Sequence, residues 1–128
     1  MMRRYERLLE YISYFEDHSR SFCVWVTQED GLNDGQTEVY PEYDKKLKAF
    51  IDEVHKTGIM ETDFREFLLN RIPIGAEVID AVENADLYTT AAILAYFIEI
   101  EDYMPGIWEE AAQDGTFLKI LKRIRELV

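Results

Sequence analysis

The stretch that decides the fold is Leu87-Tyr88-Thr89-Thr90-Ala91-Ala92-Ile93-Leu94-Ala95-Tyr96-Phe97-Ile98. Apolar side chains occur all round the axis of the helix that these residues would form, so we expect that helix to be buried. The apolar run from Ala91 to Ile98 is far shorter than the roughly 20 residues of a membrane-spanning helix. Asp86 is a suitable N-cap. The sequence therefore predicts a central core helix over about 87–103.

Apolar residues at spacings of three and four predict further helices on both sides of the central one. Their approximate bounds are 3–17, 42–57, 75–83, 105–114 and 117–127, with a short helix from Asp63 that ends before Pro73. Gly58 and Gly115 are expected to end helices, and Pro105 to begin one. We expect a mainly α fold, a compact bundle of about six helices that forms a single acidic domain over residues 1–128.

A small β-hairpin is expected near residues 22–40. Phe22–Val26 is β-branched and aromatic, and Thr37–Tyr40 is a second short strand-like stretch that ends at Pro41. Two Asp-Gly turn signals lie between them, within residues 29–36. An isolated hairpin is marginally stable, so this one should lie against the helices. A calcium loop starting at Asp30 is excluded, because Leu32 and Pro41 fall where oxygen ligands are needed.

The charge of the chain is concentrated in one segment. The net charge is −12, and residues 58–115 hold thirteen acidic residues against two arginines, a net charge of −11. Such a field repels nucleic acid and anionic membranes and attracts basic partners. A small basic cluster lies in the last helix, at Lys119, Lys122, Arg123 and Arg125. We expect these residues to offset the negative C-terminal end of the helix dipole, and not to bind nucleic acid.

Two groups of acidic residues within that segment are the candidate partner-binding residues. Glu77, Asp80 and Glu83 recur every three residues, and Glu99 shares a helix side with Asp102, with Glu101 nearby. Two interpretations remain open. The carboxylates form either a solvated polar face or acidic ridges that dock on a basic surface and copy an array of phosphates.

Residues that would support metal binding or catalysis form no pattern. His18, Cys23 and His55 are scattered and lack zinc-ligand spacing, so we expect two surface histidines, a buried inert thiol, and neither metal nor cofactor. Carboxylate pairs are too numerous for any one to stand out as an acid–base pair, so no catalytic residue is assigned. Two uses stay open for four aromatic residues, Trp25, Tyr40, Tyr43 and Trp108: an aromatic pocket or exposed contact, and core or half-buried packing, which is the commoner use.

Three stretches carry a family resemblance. They are Leu8 to Glu16 (LLEYISYFE), Tyr40-Pro41-Glu42-Tyr43 through Ala49-Phe50-Ile51 and Gly58 to Asp63-Phe64, and Ala91-Ala92-Ile93-Leu94 through Gly106, Gly115 and Ile120-Leu121 to Leu127. Together they resemble a family of small, functionally uncharacterised proteins of bacteria and their phages. The resemblance implies a fold but no catalytic residue. The family tends to carry Arg-x-x-Arg-Phe on the long helix, where this chain has Glu99, Asp102 and Tyr103. The resemblance thus implies that a basic site is replaced by an acidic one.

Three functional hypotheses follow. The favoured one is a non-enzymatic acidic module that binds a basic protein surface, such as an inhibitor of a nucleic-acid-binding enzyme; anti-CRISPR proteins are similar in size and charge. The second is a small enzyme with a carboxylate-lined pocket between helices. The third is a housekeeping interaction domain that is acidic for solubility alone. No apolar run of secretory length follows the N-terminal residues, and a single cysteine fits a reducing compartment. We expect a cytoplasmic protein that binds neither membranes nor nucleic acid directly, and the oligomeric state stays open.

Overall fold

Helices make up most of the chain in the computed structural model, which describes residues 3–17, 21–29, 37–72 and 77–128. A 3₁₀ segment (Arg3–Tyr11) leads into α1 (Ile12–Glu16), and the strands β1 (Cys23–Glu29) and β2 (Thr37–Tyr43) follow. The remaining α-helices are α2 (Lys45–Lys56), α3 (Phe64–Leu69), α4 (Leu87–Glu99), α5 (Ile107–Gln113) and α6 (Thr116–Leu127). Further 3₁₀ segments span Ile59–Glu61, Val78–Asn84 and Ile100–Asp102. The prediction of a mainly α fold with a small hairpin is confirmed.

Helix α4 is the centre of the core, as its sequence predicts. The side chains from Ala91 to Ala95 are fully buried, and the helix packs against α3 and α6. Asp86 caps the helix, because its Oδ1 accepts a hydrogen bond from the backbone N–H of Thr89 at 2.8 Å. Hydrogen bonds from the side chain and from the backbone N–H of Thr89 lower the pKa of the Asp86 carboxyl. The helix is shorter than predicted, because its last turn, Ile100–Asp102, tightens to a 3₁₀ segment.

Buried aromatic rings join the ends of the chain to its middle. The rings of Phe15, Phe50 and Phe117 contact one another, with centroid distances of 4.9 Å for Phe15 to Phe50 and 5.3 Å for Phe50 to Phe117. Phe22, just before β1, packs on Phe15 at 6.0 Å. Edge-to-face and tilted ring pairs of this kind add to the free energy gained by burial. They hold α1, α2, α6 and the base of the hairpin in one cluster.

Two of the predicted helices contain 3₁₀ segments. Residues 3–11 and 78–84 are wound with three residues per turn, so helices are present where they were predicted, and these parts have the 3₁₀ form. The spacing of three between Tyr5 and Leu8, and between Ile79 and Val82, is compatible with both helix types, so the apolar pattern does not distinguish them. Pro73 and residues 75–76, which bounded two predictions, lie outside the described residues.

The start of α5 also differs from the prediction. Pro105 does not begin the helix, which starts at Ile107. Gly106 precedes it with a φ of +103°, a left-handed conformation that no α-helix contains. A Cβ atom at Gly106 would lie 2.8 Å from the Trp25 ring, so close packing also requires glycine. Gly58 and Gly115 have φ values of +82° and +87° and end helices as predicted.

The predicted hairpin is present and longer than expected. Its antiparallel register pairs Cys23 with Tyr43, Trp25 with Pro41, and Val26 with Tyr40. Cys23, Trp25, Pro41 and Tyr43 consequently share one face, which we call the inner face, while Val24, Val26, Tyr40 and Glu42 form the outer face. At its base, the N–H of Asp44 donates to the Phe22 carbonyl at 3.0 Å. The predicted Asp-Gly turns and the first part of the excluded calcium loop fall on residues 30–36, outside the described part of the chain.

Candidate functional site

The first group of candidate acidic residues lies along one edge of a 3₁₀ segment. Asp80 and Glu83 belong to Val78–Asn84, Glu77 immediately precedes it, and all three side chains are exposed. Residues three apart eclipse one another in a 3₁₀ helix, so the spacing of these carboxylates aligns them. Glu83 forms an ion pair with Lys119 at 3.4 Å, whereas Glu77 and Asp80 form none with any described residue. Two of the three carboxylates are therefore uncompensated by the part of the chain that the structure describes.

The second group of candidate acidic residues, Glu99, Glu101 and Asp102, makes three different sets of contacts. Glu99 forms a bidentate ion pair with the Nε and Nη2 groups of Arg65 on α3, and this hydrogen bonding raises the pKa of Arg65. Asp102 is exposed and makes no ion pair with the described residues. Glu101, between them, points back into the protein. Helical spacing predicted one acidic surface for these three carboxylates, but in the structure they have different surroundings.

Glu101 closes the turn between α4 and α5 and ties it to the hairpin. Its Oε2 accepts from the Tyr43 hydroxyl at 2.7 Å and from the Gly106 N–H at 3.0 Å, and its Oε1 accepts from the Trp108 N–H at 3.0 Å. Burial, and then the hydrogen bond to Glu101, raise the pKa of Tyr43. Sequence spacing gave no sign of this role, because Tyr43 is 58 residues away and the other two donors are backbone N–H groups, which a side-chain pattern does not reveal.

The inner face of the hairpin is fixed by two tryptophans. Trp25 Nε1 donates to Glu109 Oε1 at 3.2 Å, and the ring of Trp25 lies against Gly106. The Trp108 ring packs on Tyr43 with centroids 5.0 Å apart, and its Nε1 donates to the Ile98 carbonyl at 3.1 Å. These contacts confirm the half-buried packing predicted for Trp108 and Tyr43. They also place the hairpin on the connection between α4 and α5.

Cys23 is a buried thiol and not an activated nucleophile. Burial, followed by the nearby Glu109 carboxylate, raises its pKa to about 12. The prediction of a buried thiol is confirmed, and His55 is exposed as expected. His18 lies outside the described residues. Across the ranges that the structure describes, no three or more His, Cys, Asp and Glu residues are grouped so as to hold a metal ion.

Exposed apolar side chains concentrate on the hairpin and on the turn that Glu101 closes. We call this the hairpin surface, and its members are Val24, Trp25, Val39, Tyr40, Tyr103 and Met104. Val24 is 62% exposed and Tyr103 is 79% exposed. Trp25 and Tyr40 are both 43% exposed, so neither is a core residue, and the alternative of an exposed contact applies to them. By the hairpin register, Val24 and Tyr40 lie on the outer face, whereas Trp25 and Val39 lie on the inner face. The exposed apolar groups therefore occupy both faces of the hairpin, and exposed apolar groups in such number favour an interaction site.

Acidic side chains adjoin the hairpin surface. Glu42 is exposed and lies opposite Val24 in the hairpin register. Asp102 directly precedes Tyr103, and Glu109 contacts Trp25. The surface thus combines apolar groups with negative charge, which is the composition that complements a basic partner. Within the described residues, no helix has the length and apolar character to cross a membrane.

Comparison with known proteins gives a family but no activity. No curated protein and no solved structure matches the chain. The model of one family, described as a family of unknown function (DUF6508), matches residues 1–128. Because that match covers the whole chain, the chain belongs to this family of unknown function, DUF6508.

Proposed function

We propose that this protein is a non-enzymatic acidic module that binds the basic surface of a nucleic-acid-binding protein. In this proposal it acts as a phage-type inhibitor, similar to anti-CRISPR proteins. The observation that carries the proposal is the hairpin surface. Its exposed apolar side chains adjoin Glu42, Asp102 and Glu109. Apolar groups at the centre of an interface supply affinity, and acidic groups at the rim select a basic partner.

The charge distribution supports the same kind of partner. Residues 58–115 carry a net charge of −11, and Glu77, Asp80 and Asp102 form no ion pair with described residues. Uncompensated surface carboxylates project a negative potential that speeds association with a cationic protein and weakens as salt rises. The same potential opposes direct binding to nucleic acid.

A bacterial or phage origin, a cytoplasmic location and the loss of the family's arginines belong to this proposal. The contact of Glu99 with Arg65 supports the last of them. An arginine at position 99 would face the Arg65 guanidinium and repel it, so a chain with Arg65 favours an acid there. The proposed protein needs no cofactor.

The proposal is tested first by identifying a partner and then by measuring charge dependence. The tagged chain is used to capture partners at about 50 mM and about 500 mM salt, and captured proteins are identified by mass spectrometry. Association of the purified partner is then measured with Asp102→Lys and with Asp52→Lys. Asp52 is an exposed acid of α2 outside the acidic segment, so both variants change the net charge equally. We expect Asp102→Lys to slow association far more than Asp52→Lys.

The apolar part of the surface needs its own variant. Val24→Ser with Tyr40→Ser removes two exposed groups of the outer face, and Leu69→Ser removes an exposed leucine elsewhere, on α3. Central aromatic contacts commonly dominate binding, so the hairpin variant should weaken affinity by about tenfold or more and the Leu69 variant should not. If neither salt nor these variants alter binding, the acidity serves solubility. The housekeeping interaction domain is then favoured, and turnover of a substrate would instead favour the small enzyme.

A further inference from the structure

A groove beside α6 differs from the hairpin surface, because basic side chains form part of its lining. It encloses about 370 Å³ between α6 and the 3₁₀ segment Val78–Asn84. Its apolar lining comes from Val82 and Leu118, beside Gly115. Its charged lining consists of Lys119, Lys122, Arg123, Glu83 and Glu126. The volume is within the range of pockets that hold small molecules.

The ion pairs of this groove are arranged with the basic group inside. Lys119 is 36% exposed against 70% for Glu83, and Arg123 is 23% exposed against 65% for Glu126. Lys122 is likewise less exposed than its partner, Glu16. The order is reversed in the other ion pairs between described residues, where Arg7, Lys56 and Arg65 are more exposed than the glutamates they contact. Lys119 and Arg123 are therefore the more buried members of their ion pairs, and Glu83 and Glu126 the more exposed ones.

Arg123 is held in place independently of any ligand. Its Nε and Nη2 groups both donate to the Ala85 carbonyl, at 3.0 and 2.8 Å. Only Nη1 contacts an acid, the exposed carboxylate of Glu126 at 3.0 Å. An exposed glutamate of this kind is weakly held and can be displaced by a competing anion. The Ala85 carbonyl thus fixes the guanidinium, and its Nη1 group remains paired with a glutamate that an anion can replace.

Helix electrostatics do not explain Lys119. Arg125 lies in the last turn of α6, where a positive charge is favourable, as the sequence predicts. Lys119, however, lies only three residues after Thr116, the first residue of α6. A cation near that positive end of the dipole is unfavourable to the helix. The ion pair with Glu83 at 3.4 Å offsets this cost and holds Lys119 in the lining of the groove.

We infer that this groove binds a small organic anion, a molecule with a phosphate or carboxylate group on an apolar body. The anionic group contacts Lys119, Lys122 and the Nη1 of Arg123, and the apolar body contacts Val82 and Leu118. A polyanion such as nucleic acid is disfavoured by the net charge of −12, whereas a ligand with one or two charges meets a small opposing field. This site is separate from the hairpin surface and does not rest on the proposed partner.

The test uses phenyl phosphate, with phenol and inorganic phosphate as partial analogues. Each is titrated into the isotopically labelled full chain, and the backbone amide signals of Val82, Leu118 and Lys119 are followed by nuclear magnetic resonance. Phenyl phosphate should give saturable shifts at these amides, phenol should give none, and inorganic phosphate should bind more weakly. Lys119→Gln with Lys122→Gln should weaken phenyl phosphate binding by about tenfold or more, since each removes a charged hydrogen bond.

The matched control is Lys45→Gln with Lys48→Gln, two exposed lysines of α2. It changes the net charge equally and should leave the affinity unchanged. Thermal melts of both double variants show whether each remains folded. The inference is overturned if phenyl phosphate produces no saturable shift at the groove, if phenol binds equally well, or if the two double variants lose affinity to the same extent.

Discussion

Replacing Glu101 by alanine tests whether this carboxylate is a structural element or a free surface charge. The structure gives it three kinds of donor, the Tyr43 hydroxyl and the N–H groups of Gly106 and Trp108, at 2.7–3.0 Å. The neighbouring Asp102 is exposed and has no described ion-pair partner. Asp102→Ala is therefore a control that removes one negative charge one residue away.

The size of the effect follows from the contacts that are lost. A hydrogen bond to a charged group contributes about 1.5–3 kcal/mol, and partly buried donors recover some of this from water. Glu101→Ala should therefore lower the free energy of unfolding by about 2–4 kcal/mol, or the Tm by about 10 °C. Asp102→Ala should stay within about 0.5 kcal/mol of the parent. Glu101→Gln, which keeps the shape but loses the charge, should cost about half as much as alanine.

Urea unfolding followed by circular dichroism measures these differences. A double-mutant cycle with Tyr43→Phe isolates the contact between the hairpin and the turn, and we expect a coupling of about 1 kcal/mol. The reasoning is refuted if Glu101→Ala and Asp102→Ala unfold at the same midpoint. It is refuted equally if the Tyr43 and Glu101 variants are additive, because the hydrogen bond would then be absent in solution.

Three further predictions concern the core, the thiol and metal content. Leu94→Ala should cost about 2–5 kcal/mol in urea unfolding, because Leu94 is fully buried, while Leu69→Ala, at an exposed position, should cost almost nothing. Cys23 should react with a thiol reagent at pH 8 about a thousandfold more slowly in the folded protein than in urea, because its pKa is raised from 9.0 to about 12. The unfolded thiol loses its proton first, so stability should fall as pH rises above about 9, and Cys23→Ala should reduce that fall. Elemental analysis of dialysed protein should find only substoichiometric zinc or iron, and a stoichiometric amount would contradict the non-enzyme proposal.

The sequence predicts those parts of the fold that depend on local patterns. The burial of α4, the Asp86 cap and the glycines that end helices follow from residues close together in the chain. The spacing of three at Ile79 and Val82 predicts a helix, but it does not distinguish the 3₁₀ form from the α form. Pro105 was misassigned because the conformation of Gly106 depends on Glu101 and on Trp25, which is distant in sequence.

The candidate site was harder to predict than the fold. Which carboxylates are paired depends on residues that are distant in sequence, and the acidic residues themselves look alike in the sequence. Glu99 and Asp102 share a helix side in the sequence pattern, yet Arg65 compensates the first and no described residue compensates the second. Trp25 and Tyr40 are aromatic residues of a kind that usually packs in the interior, but both are 43% exposed. Periodicity identifies a face of a helix and does not show what lies opposite that face.

Glu101 connects the stability of the fold to the proposed binding surface. The carboxylate fixes Tyr43 of β2 and the turn that carries Tyr103 and Met104, so it sets how the two parts of the hairpin surface lie relative to each other. Loss of Glu101 should therefore weaken partner binding through misplacement of apolar groups, which raises the dissociation rate. Loss of Asp102 should act through long-range charge, which lowers the association rate and depends on salt. A Glu101 variant whose binding defect disappears at high salt would show instead that Glu101 contributes only charge, and the hairpin surface would then need another element to orient it.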